Sequence, residues 1–151
     1  MILVKRNEVV EEIEDEQGNK LGVLRFNPND SRIMNKLSKI MCKIENILEK
    51  QNGVNDFKNI NKELKTAEDF ERFSKEFKKI DEYLDIEIET IQGIISELSE
   101  VFGKETIEIF TNGTLDISTL NPLFDFIIPI IKDARLEKVN NYIDNNSEVM
   151  E

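Results

Sequence analysis

"TAEDFERFSKEFKKIDEYLDIEIETIQGIISELSEVF", Thr66 to Phe102, is the stretch on which the fold turns. Thr66 stands where a helix cap belongs and Asp69 follows three residues on, the spacing of a capping box. From there Phe70, Phe73, Phe77, Ile80 and Leu84 recur in a three-four rhythm, and the rhythm resumes through Ile88, Ile91, Ile95, Leu98 and Phe102. The step from Leu84 to Ile88 is four after four, a stutter that shifts the apolar seam around the helix. Read as one element, the stretch predicts a helix from Ala67 to Phe102, about 54 Å long at a rise of 1.5 Å per residue. The alternative is a break near Asp85–Ile88, where "DIEIET" is β-branched and alternating.

The end of that helix, "SEVFGKETIEIF" (Ser99–Phe110), contains a Gly-Lys followed closely by Thr106 and so invites reading as a phosphate-binding loop. A Walker loop needs glycine five residues before the Gly-Lys and a hydroxyl directly after it. Those positions hold Leu98 and Glu105, and the segment follows a helix instead of a strand. Gly103 is therefore read as a helix terminator in the left-handed conformation.

Upstream, "VVEEIEDEQGNKLGVLRF" predicts a hairpin over about Val9–Phe26 around the turn residues Gly18 and Asn19. Its Glu12, Glu14, Asp15 and Glu16 read as solvated charges near the turn. "FNPNDSRIMNKLSKIMCKIENILEK" then starts a helix of about residues 31–50, capped by Asp30 or Ser31 with Pro28 outside the first turn. Ile33, Leu37, Ile40, Ile44 and Ile47 make its apolar face, widened by Met34, Met41 and Leu48. "QNGVNDFKNINKELK" (51–65) is polar and reads as a loop with a short helix inside. Downstream, Asn112-Gly113 marks a tight turn. Asn121 as cap and Pro122 at the first helical position open a last helix of about 121–144, with Pro129 placed to kink it and a frayed tail after it. The expected fold is mainly α (α+β): one domain over 1–151, an N-terminal hairpin and three main helices, the central one long.

Composition limits the chemistry. The chain has no histidine, which removes the common zinc sites, the Ser-His and Cys-His nucleophiles and the usual near-neutral base. Cys42 is the single cysteine, set among Met41, Lys43 and Ile44, and reads as a small packed thiol. Carboxylate pairs such as Glu87/Glu89 or Glu12/Glu14 lack a pocket-building pattern, and no GxSxG, GxGxxG or EF-hand loop is present. The expectation is a protein that is not an enzyme, with no catalytic residue, cofactor or metal. A net charge of -11 opposes a phosphate backbone, so nucleic acid is not an expected partner. The longest apolar run, "FIIPII" (Phe126–Ile131), is far short of a membrane span, so a membrane is not expected either and the chain reads as cytoplasmic.

The charges are segregated. Arg32, Lys36, Lys39 and Lys43 form a basic stripe, whereas residues 81–100 hold seven acids (Asp81, Glu82, Asp85, Glu87, Glu89, Glu97, Glu100) and no Lys or Arg. Antiparallel packing of the two helices lets the stripes set register. The nine phenylalanines stand out against no Trp and two Tyr. Phe70, Phe73 and Phe77 on one helix, with Phe124, Ile127, Ile128 and Ile131 on the last, are the candidates for apolar packing or partner contact. A seam this long exceeds what three helices cover, leaving surface for another chain or for a second copy in a homo-oligomer.

Three patches carry a family pattern. They are "LRFNPND" (Leu24–Asp30) with Phe26, Pro28 and Asp30; "VFGKETIEIF" (Val101–Phe110) with Phe102, Gly103 and Phe110; and "LFDFIIPIIKDARLEKVNNYI" (Leu123–Ile143) with Pro129 and Arg135. Together they resemble the small tail assembly chaperones of tailed phages and prophages of Gram-positive bacteria, over roughly the first and last thirds of the chain. The resemblance implies a cytoplasmic protein of the bacterial host cell, absent from the mature virion. Such a protein binds the tape measure protein, keeps its helical apolar segments dissolved and helps recruit tail tube subunits. The alternative from a different class is an acidic phage-encoded inhibitor that mimics nucleic acid through the acids of 81–100 and binds a basic host protein.

Overall fold

A computed structural model describes residues 1–52 and 64–149. The elements in chain order are β1 (Val9–Glu14), β2 (Lys20–Phe26), α1 (Ser31–Asn52), α2 (Ala67–Phe102), α3 (Lys104–Thr111), a single 3-10 turn (Ile117–Leu120) and α4 (Asn121–Val149). The mainly helical architecture with its N-terminal hairpin and long central helix is as the periodicity indicates, with α3 in addition. The expected loop of 51–65 falls mostly on residues 53–63, outside the described ones. Among the described residues no helix is long and apolar enough to cross a membrane.

The hairpin pairs Val9 with Phe26 and Ile13 with Gly22, then slips so that Glu14 meets Lys20 and Leu21 is left over as a bulge. Asp15 is not merely a solvated charge. Its Oδ1 accepts from the backbone N–H groups of Gln17 and Asn19, both at 2.9 Å, and its Oδ2 accepts from Asn19 Nδ2 at 3.0 Å. These bonds, the Asn19 N–H foremost, hold the Asp15 carboxyl below its ordinary range. Gly18 takes φ +83° at the turn. Gly22 leaves space for Ile109: a Cβ there would lie 2.5 Å from its Cδ1. That fit lets β2 and α3 approach.

α1 begins at its expected cap. Asp30 Oδ1 accepts from the Arg32 N–H at 3.0 Å, and the Asp30 carboxylate also takes the Arg32 guanidinium at 2.8 Å. Ile33, Leu37, Ile40 and Ile47 are buried, as the seam predicts, while Met34 and Leu48 are exposed, so the face is narrower than the sequence suggests. The correction extends to Cys42, which is exposed and not packed. Nine residues from Ile33 is two and a half turns, which puts Cys42 half a turn from the seam.

α2 is continuous from Ala67 to Phe102, with no break at Asp85–Ile88. Its capping box is built with Asp in place of Glu: the Asp69 N–H donates to Thr66 Oγ1 at 3.2 Å, and the Thr66 N–H donates back to Asp69 Oδ2 at 3.2 Å. Burial corrects the position of the seam. Ile80, Ile91, Ile94, Leu98 and Phe102 are buried, Leu84 and Glu87 half-buried, and Ile88 exposed. The rhythm therefore runs Ile80, Leu84, Glu87, Ile91, Ile94, Leu98 and Phe102, which moves the four-after-four step from Leu84–Ile88 to the last turn, Leu98–Phe102. A carboxylate occupies one seam position.

Gly103 separates α2 from α3 and is the N-cap of the latter, with φ +93° and ψ 141°. The expected positive φ is present, but the ψ is extended and not that of a left-handed helical turn. This lets a second helix begin at the next residue. α3 ends on Asn112, itself left-handed at φ 49°, followed by Gly113 at φ +75°. α4 is also corrected at its start. Asn121 has helical angles and is no cap, because the 3-10 turn leads into it. The cap is Asp116, whose Oδ1 accepts from the Ser118 N–H at 3.0 Å and its hydroxyl at 2.7 Å. α4 runs through Pro129 and on to Val149, so most of the tail read as frayed is helical.

By contact the chain divides into two compact units, residues 1–37 with 95–151 and residues 38–94. The first unit buries Leu24, Phe26, Ile33, Leu37, Leu98, Phe102, Ile107, Leu120, Leu123, Phe124, Ile127 and Ile131. At its centre Phe26 and Phe102 meet edge to face, ring centroids 5.9 Å apart. In the second unit α1 and α2 run antiparallel: the Tyr83 hydroxyl donates to the Ile47 carbonyl at 3.2 Å, and Gly93 lies beside Lys43. Its buried residues are Ile40, Ile47, Ile80, Ile91 and Ile94.

Gly103→Ala should destabilise the chain by about 1–3 kcal/mol, because the strain is in the backbone conformation. The nearest atom to an added Cβ, Thr106 Oγ1 at 3.9 Å, leaves room for it. Urea denaturation measures the loss. Asp69 gives a pH signature. The Thr66 hydroxyl, then the Lys65 and Thr66 N–H groups, hold its carboxyl below the ordinary range. Stability from a lowered carboxylate is complete above its unfolded pKa of about 4 and is lost as pH falls through the folded value. Asp69→Asn should therefore be less stable than the parent at pH 7, the difference closing as pH falls below about 4 in melting experiments.

Candidate protein-binding site

The second unit presents the aromatic candidates. Phe70 is 55% exposed and Phe77 47%, with Phe73 half-buried between them. The Phe73 and Phe77 rings stack at a centroid distance of 5.0 Å and an angle of 37°. Positions 70 and 77 are one heptad apart and so lie almost on one line along the helix. Ile88, 40% exposed, continues that line eleven residues on. The N-terminal half of α2 thus carries large apolar side chains at its surface, flanked by exposed charges of both signs such as Lys75, Lys78 and Asp81.

The α4 candidates divide. Phe124, Ile127 and Ile131 are buried in the first unit, so their role is packing, while Ile128 is 39% exposed. The difference is helical phase: positions 124, 127 and 131 keep the three-four spacing and Ile128 falls one residue past it.

The family-pattern positions all fall in one unit, and two sets of them are brought together there. All three patches lie in the first unit. Phe26 and Phe102 form the ring pair, with Gly103 directly after. Pro28, Asp30 and Arg135 line one small cleft with Met34, Ile131 and Lys138. Phe110 is half-buried and Pro129 exposed. Positions more than a hundred residues apart in sequence thus become neighbours.

Two further concavities were not foreseen. In the first unit a cavity of about 430 Å³ is lined by charged groups that neutralise one another: Arg32 with Asp30, Lys36 with Glu100 at 2.5 Å, and Arg25 with Glu8 at 4.0 Å. The Lys36 ammonium holds the Glu100 carboxyl below its ordinary range. In the second unit a groove of about 270 Å³ is lined by Lys43, Asn46, Ile47, Tyr83, Ile86, Glu87, Glu89, Thr90 and Gly93. The signal for it was Glu87: a strict three-four count through α2 lands on that residue, and a carboxylate in a seam marks a polar gap between helices. Charge segregation is therefore used in part. Lys36 meets an acid of α2, whereas Arg32 turns back to its own cap. Of the seven acids of 81–100, Glu87 and Glu97 are half-buried and Glu100 is taken by Lys36, which shortens the anionic stripe a nucleic-acid mimic needs.

Among the described residues no group of three or more His, Cys, Asp or Glu side chains is placed to hold a metal ion. Comparison with protein-family models, with curated proteins and with solved structures finds no match for this chain.

Gly93 offers a clean test of the groove geometry. It sits inside α2, and a Cβ there would meet only the end of Lys43, at 3.8 Å from Nζ. Gly93→Ala should therefore stabilise the chain by about 0.5–1 kcal/mol through helix propensity, seen as a raised melting temperature. A loss of stability would show α1 packed closer to α2 than described.

Proposed function

We propose that this chain is a tail assembly chaperone. It binds helical, apolar segments of a tape measure protein, keeps them dissolved and aids recruitment of tail tube subunits. The observation that carries the reading is the joining of the three family-pattern patches in one compact unit, apart from the exposed Phe70 and Phe77 of α2. One unit supplies the scaffold that the resemblance describes, and the other supplies aromatic surface for an apolar helix.

Co-expression with the tape measure protein tests this. The parent chain should hold the tape measure protein in the soluble fraction. Phe70→Ser with Phe77→Ser should return it to the pellet, since burying the exposed half of each Phe side chain, at about 0.8–1.5 kcal/mol apiece, corresponds to on the order of ten- to a hundredfold in affinity. Both positions are exposed, so the double variant should keep the parent's helical content. Equal solubility of the tape measure protein with and without the chain would refute the proposal.

A further inference from the structure

Residues Met1–Val4 are four consecutive apolar side chains, each 76% or more exposed, and belong to no helix or strand. They are followed by Lys5 and Arg6, so the segment Met1–Arg6 is apolar and basic with no acid in it. Immediately after it comes β1, and among the described residues β2 is the only strand that pairs with β1. One edge of β1 therefore keeps its row of backbone N–H and C=O groups unpaired to other strands, on a strand bearing exposed Glu11, Glu12 and Glu14. An exposed run of Ile, Leu and Val beside an open strand edge is a matched pair of features: each is a liability alone, and each can cover the other.

The segment does not lie on its own β1, since a strand laid there would not stand so exposed. We infer that it pairs with a second copy: Met1–Arg6 of each chain runs antiparallel to Val9–Glu14 of the other about a two-fold axis, extending the hairpin into a continuous sheet. Charge selects this pairing over its neighbour. Placing β1 against β1 of the other copy would oppose Glu11 to Glu12 and set acids along the whole interface, which is destabilising. The offset pairing instead sets Ile2 against Ile13 and brings Arg6 diagonal to Glu11, about 7–8 Å away and within reach of a long side chain, with Lys5 diagonal to Glu12, whose carboxylate Lys20 already holds at 2.9 Å. A two-fold arrangement makes every such contact twice. This inference stands apart from the proposed function, because it uses neither Phe70 nor Phe77.

Sedimentation equilibrium of the full chain over a wide concentration range tests it, with charge variants at exposed positions. The parent should approach twice the 17.6 kDa chain mass. Arg6→Glu should weaken the dimer on the order of tenfold by replacing attractive cross-strand pairs with repulsive ones in both halves. Arg6→Glu with Glu11→Lys should restore most of that loss, whereas Arg6→Glu with Glu137→Lys, which returns the net charge to the same value from an exposed position on α4, should not. Circular dichroism melts confirm that each variant keeps its fold. A parent that stays at the single-chain mass throughout overturns the inference. So does a dimer that ignores Arg6→Glu, or one that Glu11→Lys fails to rescue or Glu137→Lys rescues equally.

Discussion

The apolar seam along α2 is the constraint on which the rest of the structure depends. A three-four rhythm from Ile80 to Leu98, closed by a further step of four to Phe102, keeps one side of the 36-residue helix turned inward. Isolated helices gain little from propensity, so a helix of this length needs packing along its seam to persist. In the second unit α1 packs against it antiparallel, with Tyr83 bonded to the Ile47 carbonyl. In the first unit its last turns hold Leu98 and Phe102, and Phe102 meets Phe26 at the end of the hairpin. Gly103 then lets the chain turn at once into α3, and the 3-10 turn capped by Asp116 feeds α4. The burial falls away toward the N-terminal end of the same seam, where Phe77 and Phe70 come to the surface.

Much of this was legible in the residues because it depends on period and on caps. The bounds of α2 follow from Thr66 and Gly103, and the hairpin follows from its turn and its β-branched flanks. Two of the differences come from counting apolar residues instead of positions. Ile88 is apolar and reads as a seam residue, yet the phase passes through Glu87. Cys42 has apolar neighbours and reads as packed, yet it sits half a turn from the face. α3 was missed because "KETIEIF" alternates β-branched residues and only Ile107 and Thr111 of it are buried, four residues apart. Asn121 was taken for a cap because it precedes Pro122. The 3-10 turn before it, which moves the cap to Asp116, has no periodicity to betray it.

The distribution of the candidates follows the same physics. Phe124, Ile127 and Ile131 match the phase of the α4 core and are lost to the surface, while Phe70 and Phe77 keep their exposure where α2 has fewest buried positions. The family-pattern positions, far apart in sequence, meet because the first and last thirds of the chain belong to one unit. The exposed Phe70 and Phe77 thus belong to one unit and the family-pattern positions to the other.

Hydrogen exchange along α2, read by mass spectrometry of overlapping peptides, tests the seam most directly. Ile91–Phe102 should exchange slowest, Ala67–Phe77 faster, and Asp85–Thr90 should stay protected as part of one helix. Exchange of Asp85–Thr90 at the rate of an open loop would mean that the helix breaks where Glu87 enters the seam, and would contradict the account.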